Sequence, residues 1–342
     1  MGHRVAVIGG DGIGPEVIRE ALKVVEATGV VLETRAVELG AAHYLATGEV
    51  LDDATLEFLR SHDAILLGAI GPAIGSTEVP PGVLERGLLL RLRFELDLYV
   101  NERPFRTIDP SVTVTRREAD FVVIRENTEG PYAGEGGFLY RGTAHEVAQQ
   151  GSLNTRHGVE RVVRYAFERA RSRPRKHLTL VHKTNVLTYA GDLWSRTFAE
   201  VAAEYPDVMT AYNHVDAASI YLVEDPGRYD VIVTDNLFGD ILTDLAAAVT
   251  QGIGYAASAN LNPARTGPSL FEPVHGAAHD RVGTNTANPW AAIRSAGAML
   301  EFLGEHEAAS RIEAALSVLP PPSATTTQIG DFYAERVRHG DR

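Results

Sequence analysis

Short apolar runs alternate along the chain with longer stretches in which apolar positions recur every three or four residues. The runs stand at residues 4–8, 64–67, 121–124, 178–181 and 231–233, each the length of a buried strand. Between several of them the spacing predicts amphipathic helices, at 15–26, 158–172 and 192–205. The first strand leads into Gly9-Gly-Asp-Gly-Ile-Gly14 and then Pro15. Proline suits the first helical position because its missing N–H would have no partner there. Strands alternating with helices predict an α/β fold with a largely parallel sheet. The last hundred residues read as mainly helical from 289 to about 316, and 320–327, rich in Pro and Thr, as a short surface connection. No repeat and no linker divides the chain, so a second domain is expected to be inserted in the first. The glycine-rich segment 130–137 reads as a projecting loop or arm.

Composition narrows the function classes. With 342 residues the chain has room for two domains at ~100–200 residues each. Hydrophobic residues at 44% and charged residues at 23% indicate an ordered globular protein. No apolar run approaches the ~18–20 residues of a membrane span, no charged-then-apolar leader is read at the start, and no Asn-x-Ser/Thr site occurs, so a soluble cytoplasmic protein is expected. The absence of cysteine excludes disulfides, zinc thiolates, iron–sulfur clusters and thiol nucleophiles. A net charge of −13 argues against nucleic acid and anionic membranes as partners. It leaves room for a small anionic substrate where basic residues concentrate, and five arginines (Arg86, Arg91, Arg93, Arg103, Arg106) do so within one short stretch.

Several constellations carry candidate chemistry. The glycine turn lacks the third glycine of the dinucleotide fingerprint, because Gly10-x-Gly12-x-x is followed by Pro15; it reads equally as a tight turn or a phosphate cradle. Asp240 and Asp244 are spaced i, i+4 after the run at 231–233 and would share a helical face, where they suit Mg²⁺ or Mn²⁺ or simply form an acidic helix start. Asp216 opens a further helix, as an N-cap or a third ligand. Lys183 follows the strand at 177–182, where open α/β sheets bind ligands, and could act as an acid/base group or remain a surface lysine. Arg125 stands similarly after 121–124, and with Arg93 and Arg103 could clamp carboxylates. The loop 271–280, with Asp280 at its end, could hold a ribose.

Taken in order, these motifs resemble the β-decarboxylating dehydrogenase family, which acts on isopropylmalate, isocitrate, homoisocitrate and tartrate. The resemblance rests on Gly10-Asp-Gly-Ile-Gly-Pro-Glu16, Arg125-Glu-Asn-Thr-Glu-Gly130, His182-Lys-Thr-Asn185, Thr234-Asp-Asn-Leu-Phe-Gly-Asp240 and Glu272-Pro-Val-His-Gly276, and spans essentially the whole chain. The run Glu85-Arg-Gly-Leu-Leu-Leu-Arg-Leu-Arg93 is most similar to the isopropylmalate branch. The resemblance implies an isopropylmalate/isocitrate dehydrogenase-like α/β fold with a shared central sheet, not a Rossmann fold. Residues 1–98 plus 252–342 would form a large cofactor-binding domain. An inserted domain, 99–251, would carry the dimer interface and an intersubunit arm at about 130–155, with the site between the domains.

It further implies a homodimer performing NAD-dependent oxidative decarboxylation of 3-isopropylmalate to 2-oxoisocaproate, a step of leucine biosynthesis. Arg93, Arg103 and Arg125 would hold the carboxylates, with Asp216 also at the substrate and Leu89 and Leu90, beside Leu88, as an apolar wall. Asp240 and Asp244 of one subunit with Asp216 of the other would hold Mg²⁺ or Mn²⁺. Lys183 of that second subunit would be the base and Tyr132 the proton donor. Ile13, Glu85, Asn185, Glu272, His275, Gly276, Asp280 and Asn288 would meet NAD. Glu102 and Phe105 beside Arg103, and Ala277, His279 and Arg281 in the nucleotide loop, depart from the family pattern. Glu102 is expected to point away from Arg103 into an ion pair, Phe105 to share Arg103's side and reshape the pocket, and Arg281 to point away from Asp280 along an extended loop. Competing readings are another 3-substituted malate as substrate and a non-catalytic regulatory subunit. The presence of Tyr132, Lys183, Asp216, Asp240 and Asp244 argues against the latter. A metal-dependent aldolase or phosphoryl-transfer enzyme would share the acids but leave the nucleotide loop unexplained.

Overall fold

The computed structural model describes residues 2–340. In chain order the elements are β1 (His3–Gly10), α1 (Gly14–Ala27), β2 (Leu32–Ala36), α2 (Ala41–Thr47), α3 (Asp53–Arg60), β3 (Ala64–Ala69) and α4 (Arg91–Glu95). There follow β4 (Val100–Arg106), β5 (Asp120–Glu126), β6 (Gly136–Leu139), β7 (Val147–Gln150), α5 (Arg156–Arg171), β8 (His177–His182), α6 (Thr188–Ala202), β9 (Met209–His214), α7 (Val215–Glu224), β10 (Val231–Thr234) and α8 (Asn236–Val249). The chain closes with β11 (Ala257–Leu261), β12 (Ser269–Pro273), α9 (Trp290–Leu303), α10 (His306–Ala315) and α11 (Thr326–His339). Residues up to Leu98, with Ile108–Val112 and those from Gln251 on, make one unit; Tyr99–Thr107 and Thr113–Thr250 make the other.

In the first unit the strands run β2-β1-β3-β12-β11, parallel except where β11 meets β12. Val5, Ala6 and Ile8 of β1 and Ile65, Leu66 and Leu67 of β3 are buried throughout, the continuous apolar run that a parallel sheet covered on both faces requires. Helices α1, α9 and α11 pack together, while Leu56, Leu59, Leu88, Leu92 and Leu96 gather with Ile8, Ile65 and Leu67. The glycine turn after β1 is a packing junction. A Cβ on Gly12, whose φ is +58°, would lie 1.8 Å from the Ala277 carbonyl oxygen, and one on Gly14 would lie 2.2 Å from that of Gly9. The Asp11 and Ile13 N–H groups donate to Ala69 O (2.7 Å) and Ala277 O (2.8 Å), so the protein's own carbonyls occupy what a phosphate cradle would offer. Asp11 itself is buried and accepts from Ala41 N (2.8 Å) and Gly71 N (2.9 Å), tying the start of α2 and the loop after β3 to the turn.

The second unit orders its strands β4-β5-β10-β8-β9, with β4 antiparallel to β5 and the rest parallel. Helix α5 shows why its sequence is helical: Val159, Val162, Val163, Ala166, Phe167 and Ala170 form one buried stripe, and the Thr155 side chain caps its start by accepting from Gly158 N. Helices α7 and α8 pack on each other, α8 also on β5 and β10. β6 and β7 pair as a separate antiparallel ribbon with every residue exposed, Phe138, Leu139 and Val147 included. At the C-terminal end the expected helical stretch is broken at Gly304 (φ +92°), and the expected connection ends early. Thr325 and Gln328 form a capping box that starts α11, so 325–327 belong to a helix the apolar pattern did not signal. Among the described residues no helix is long and apolar enough to cross a membrane.

Candidate active site

The chemistry of the second unit is organised by α8. Asp235 caps it, its side chain accepting from Phe238 N at 2.8 Å, which fixes the helix start at the end of β10. From there Asn236, Gly239, Asp240 and Thr243 recur at i, i+3, i+4 and i+7, one helical face. This face receives two arginines. Arg125 of β5, only 1% exposed, donates from Nε to Asn236 Oδ1 (2.9 Å) and from Nη1 to Asp240 Oδ1 (2.6 Å). Its aliphatic stem lies where Gly239 has no side chain: a Cβ there would sit 2.4 Å from Arg125 Cγ. Arg103 of β4 is likewise buried and donates from Nη1 to Thr243 Oγ1 (2.6 Å). Tyr132 donates its hydroxyl to Asp240 Oδ2 at 2.9 Å, with the Arg125 guanidinium 5.2 Å from its ring. A buried guanidinium is tolerable only when paired and hydrogen-bonded, and Asp240 supplies both. Asp244, one turn further, is exposed.

The loop joining Arg125 to Tyr132 is held by two carboxylates that sequence reasoning left unassigned. Glu126 is buried and accepts from Thr128 N, Thr128 Oγ1 and Glu129 N, each at 2.7 Å. Burial pushes its carboxyl up to about 7 against the pull of those donors. Glu129 accepts from Thr155 N at 2.8 Å, and its carbonyl accepts from Asn236 Nδ2 at 3.0 Å. These acids shape the loop rather than face a ligand.

Lys183, at the end of β8, donates to Asp216 Oδ1 at 2.7 Å. That hydrogen bond holds the Asp216 carboxyl below the usual carboxylate range. Asp216 lies in the first turn of α7 but does not cap it; His214 occupies the cap position. Among the described residues of one chain no three His, Asp or Glu side chains gather as a metal site. Thus Arg125, Tyr132 and Asp240 are brought together, Lys183 and Asp216 are brought together, and the three acids Asp216, Asp240 and Asp244 do not converge within one chain. Asn185, two residues after Lys183, is exposed.

The first unit presents its candidates around β12 and the loop that follows. Glu272 accepts from Asn260 Nδ2 at 2.8 Å, and Asn288 accepts from Trp290 N at 3.0 Å at the start of α9. His275 keeps Nδ1 3.1 Å from Gly276 O, while its Nε2 is buried with no hydrogen-bond partner. Burial lowers its pKa, favouring the neutral ring. Asp280 is exposed in a 3₁₀ turn, His279–Arg281, anchored by His279 Nε2 to Gly71 O at 2.8 Å. That turn corrects the expected extended loop. Successive residues of a 3₁₀ helix are about 120° apart, so Arg281 does not point opposite to Asp280. Ile13 is buried (4% exposed), and Glu85 is exposed on a π-helical turn, Glu85–Leu90. On this turn Leu88 is core, Leu89 packs partly against the same cluster, and Leu90 is half-buried. Arg93 is half-buried on α4, whereas Arg91 pairs with Asp53.

The chain as a whole is similar to known proteins. The sequence profile of the isocitrate/isopropylmalate dehydrogenase family matches residues 4–334. The chain belongs to this family. A 3-isopropylmalate dehydrogenase of Nocardia farcinica is 58% identical over 339 residues, 98% of this chain and 100% of its own. The crystal structure of an isocitrate dehydrogenase from Methylococcus capsulatus shares 39% identity, with a TM-score of 0.88 over 98% of this chain and 100% of that one. A β-decarboxylating dehydrogenase from Thermococcus kodakarensis (apo form) shares 35% identity, with a TM-score of 0.80 over 98% and 96% of the two chains.

Membership in the family sharpens the two departures beside Arg103. Glu102 points away from Arg103, as strand alternation requires, and accepts from Tyr165 Oη (2.7 Å) and Arg169 Nε (2.9 Å) of α5. It is a half-buried ion pair with α5. Phe105 is 3% exposed and packs on Phe121, ring centroids 5.4 Å apart. It fills core, which corrects the expectation that it reshapes a pocket. No local sequence signal marks Asn236. Only the fold, which brings positions 111 residues apart within 2.9 Å, gives it a partner in Arg125.

Proposed function

We propose that this protein catalyses the NAD-dependent oxidative decarboxylation of 3-isopropylmalate, the dehydrogenase step of leucine biosynthesis. The observation that carries the substrate is the 58% identity, over nearly the full length of both chains, to a 3-isopropylmalate dehydrogenase. The site chemistry agrees with it: buried, oriented arginines for a dicarboxylate, a lysine for the hydroxyl proton and a tyrosine for the carbon left when CO₂ departs.

When bound, NAD supplies the hydride acceptor and Mg²⁺ or Mn²⁺ the Lewis acid. The residues fit both. Asp240 and Asp244 are hard oxygen donors one turn apart, suited to such a cation, and Asp216 of a second subunit would complete the set. His275, with its unpartnered Nε2, and the exposed Asp280 fit an adenosine, its base and ribose respectively, with Ile13, Glu85, Glu272, Gly276, Asn288 and Asn185 as further cofactor contacts. Arg103, Arg125 and Arg93 hold the malate carboxylates, and Leu90, with the exposed part of Leu89, receives the isopropyl group. Lys183, in its neutral amine form, would take the proton of the C2 hydroxyl as the C2 hydride is given up. The C3–carboxylate bond then breaks, its electron pair forms the enolate, and Tyr132 donates its proton to C3.

Homodimer formation is part of the proposal. Ile220 and Val223 on α7, Leu237 and Ile241 on α8, and the β6–β7 ribbon all expose large apolar side chains. An isolated two-stranded ribbon is marginal in water, so a second copy of the chain is its natural support. Lys183 and Asp216 would then serve the neighbouring subunit's Arg125, Tyr132, Asp240 and Asp244.

A kinetic panel of 3-isopropylmalate, isocitrate, homoisocitrate, tartrate and malate tests the substrate. Isocitrate should be at least about a hundredfold poorer in kcat/KM, because its extra carboxylate would be desolvated against Leu90 without a partner. Efficient turnover of another member with none of isopropylmalate would refute the assignment. For the cofactor, a 2′-phosphate would bring negative charge against Asp280, so NAD should be preferred over NADP by at least about tenfold in kcat/KM, ~1.4 kcal/mol. Equal efficiency would refute this, and Arg281→Ala would then show whether that neighbouring arginine accepts the phosphate.

A further inference from the structure

We infer that Asn236 is a positioning residue that sets the plane of Arg125 and the place of Tyr132 through the two ends of its side-chain amide. The inference rests on the roles proposed above for those two residues and adds how they are held. Asn236 is the first residue of α8 and is wholly buried, so the capped helix start fixes its position. Its Oδ1 accepts from Arg125 Nε at 2.9 Å and its Nδ2 donates to Glu129 O at 3.0 Å. One turn along, Asp240 repeats the pattern, accepting from Arg125 Nη1 at 2.6 Å and from Tyr132 Oη at 2.9 Å.

Arg125 and the loop of Tyr132 are therefore each bonded twice to α8, once by Asn236 and once by Asp240. Two points of attachment define a guanidinium's orientation, whereas one leaves it free to pivot about the bonded nitrogen. The groove at Gly239 meets the arginine's stem, at Cβ, Cγ and Cδ. Asparagine meets both demands because it carries an acceptor and a donor on one rigid plane. A residue with neither would leave a buried N–H of a charged group and a carbonyl without partners, a costly arrangement.

The two ends of the amide should be separable by kinetics. Asn236→Ala should raise KM for 3-isopropylmalate by about tenfold and also lower kcat. Asn236→Asp keeps the acceptor for Arg125 and loses the donor to Glu129. It should hold KM within about threefold while kcat falls through the displaced Tyr132 loop. The decisive arm is the Arg125→Ala background, read as KM or, where turnover is too slow, as the Kd of 3-isopropylmalate. If Asn236 acts through Arg125, adding Asn236→Ala there should change affinity by less than about twofold. The full penalty in both backgrounds, or a lowered melting temperature with KM unchanged, would overturn the positioning role. If the alanine variant does not fold, Asn236→Asp in the otherwise unchanged protein is the test: kcat is the readout, and a kcat equal to the parent's would overturn the positioning role. If Arg125→Ala alone leaves KM unchanged, the carboxylate role of Arg125 is wrong, a failure distinct from additivity, and this inference falls with it.

Discussion

Lys183→Met should lower kcat for 3-isopropylmalate by about a thousandfold, within the range a positioned general base contributes. The methionine keeps an unbranched stem of similar length at the end of β8 and removes only the ammonium that bonds Asp216. Asp216 is largely solvent-exposed, with 66% of its side-chain surface accessible, so losing that ion pair costs little folding free energy. The melting temperature should stay within a few degrees of the parent, and KM should change far less than kcat, because the carboxylates are anchored by arginines elsewhere. Initial rates of NADH formation together with a thermal melt read all three quantities. A residual rate within tenfold of the parent would assign the base to another group.

The sequence was most legible where local rules decide structure. β1, β3, β5, β8 and β10 announced themselves because strands of a covered parallel sheet are apolar throughout, and α5 because its stripe recurs at helical spacing. The fold class, the family and the candidate arginines, lysine and acids followed from motifs. What stayed hidden depends on partners distant in the chain. Asp11 looked like a loop residue of a glycine turn, yet its work is to accept from Ala41 and Gly71, 30 and 60 residues away. Glu129 gives no local sign of its role, and only the fold shows it accepting from Thr155 N, 26 residues on.

Local geometry that residue types do not specify accounts for the rest. Leu88, Leu89 and Leu90 are chemically alike, but a π-helical turn buries the first and leaves the third half-exposed. The 3₁₀ turn at Asp280 follows a residue with positive φ, Ala278 at +39°, which nothing in an alanine foretells. Phe105 shares the strand side of Arg103, as alternation demands, yet neighbouring Phe121 claims its ring for the core.

The central claim, a catalytic site completed by Lys183 and Asp216 of one subunit and by Arg125, Tyr132, Asp240 and Asp244 of the other, is tested most directly by mixed dimers. Lys183→Met and Arg125→Ala subunits, each nearly inactive alone and carrying different tags, are mixed under conditions where mass spectrometry shows subunit exchange. In each mixed dimer one site carries both defects and the other neither. Random exchange should therefore restore roughly a quarter of the parental rate of NADH formation from 3-isopropylmalate, since half the dimers are mixed and each has one intact site. Demonstrated exchange with activity no higher than that of the separate variants would contradict the shared site.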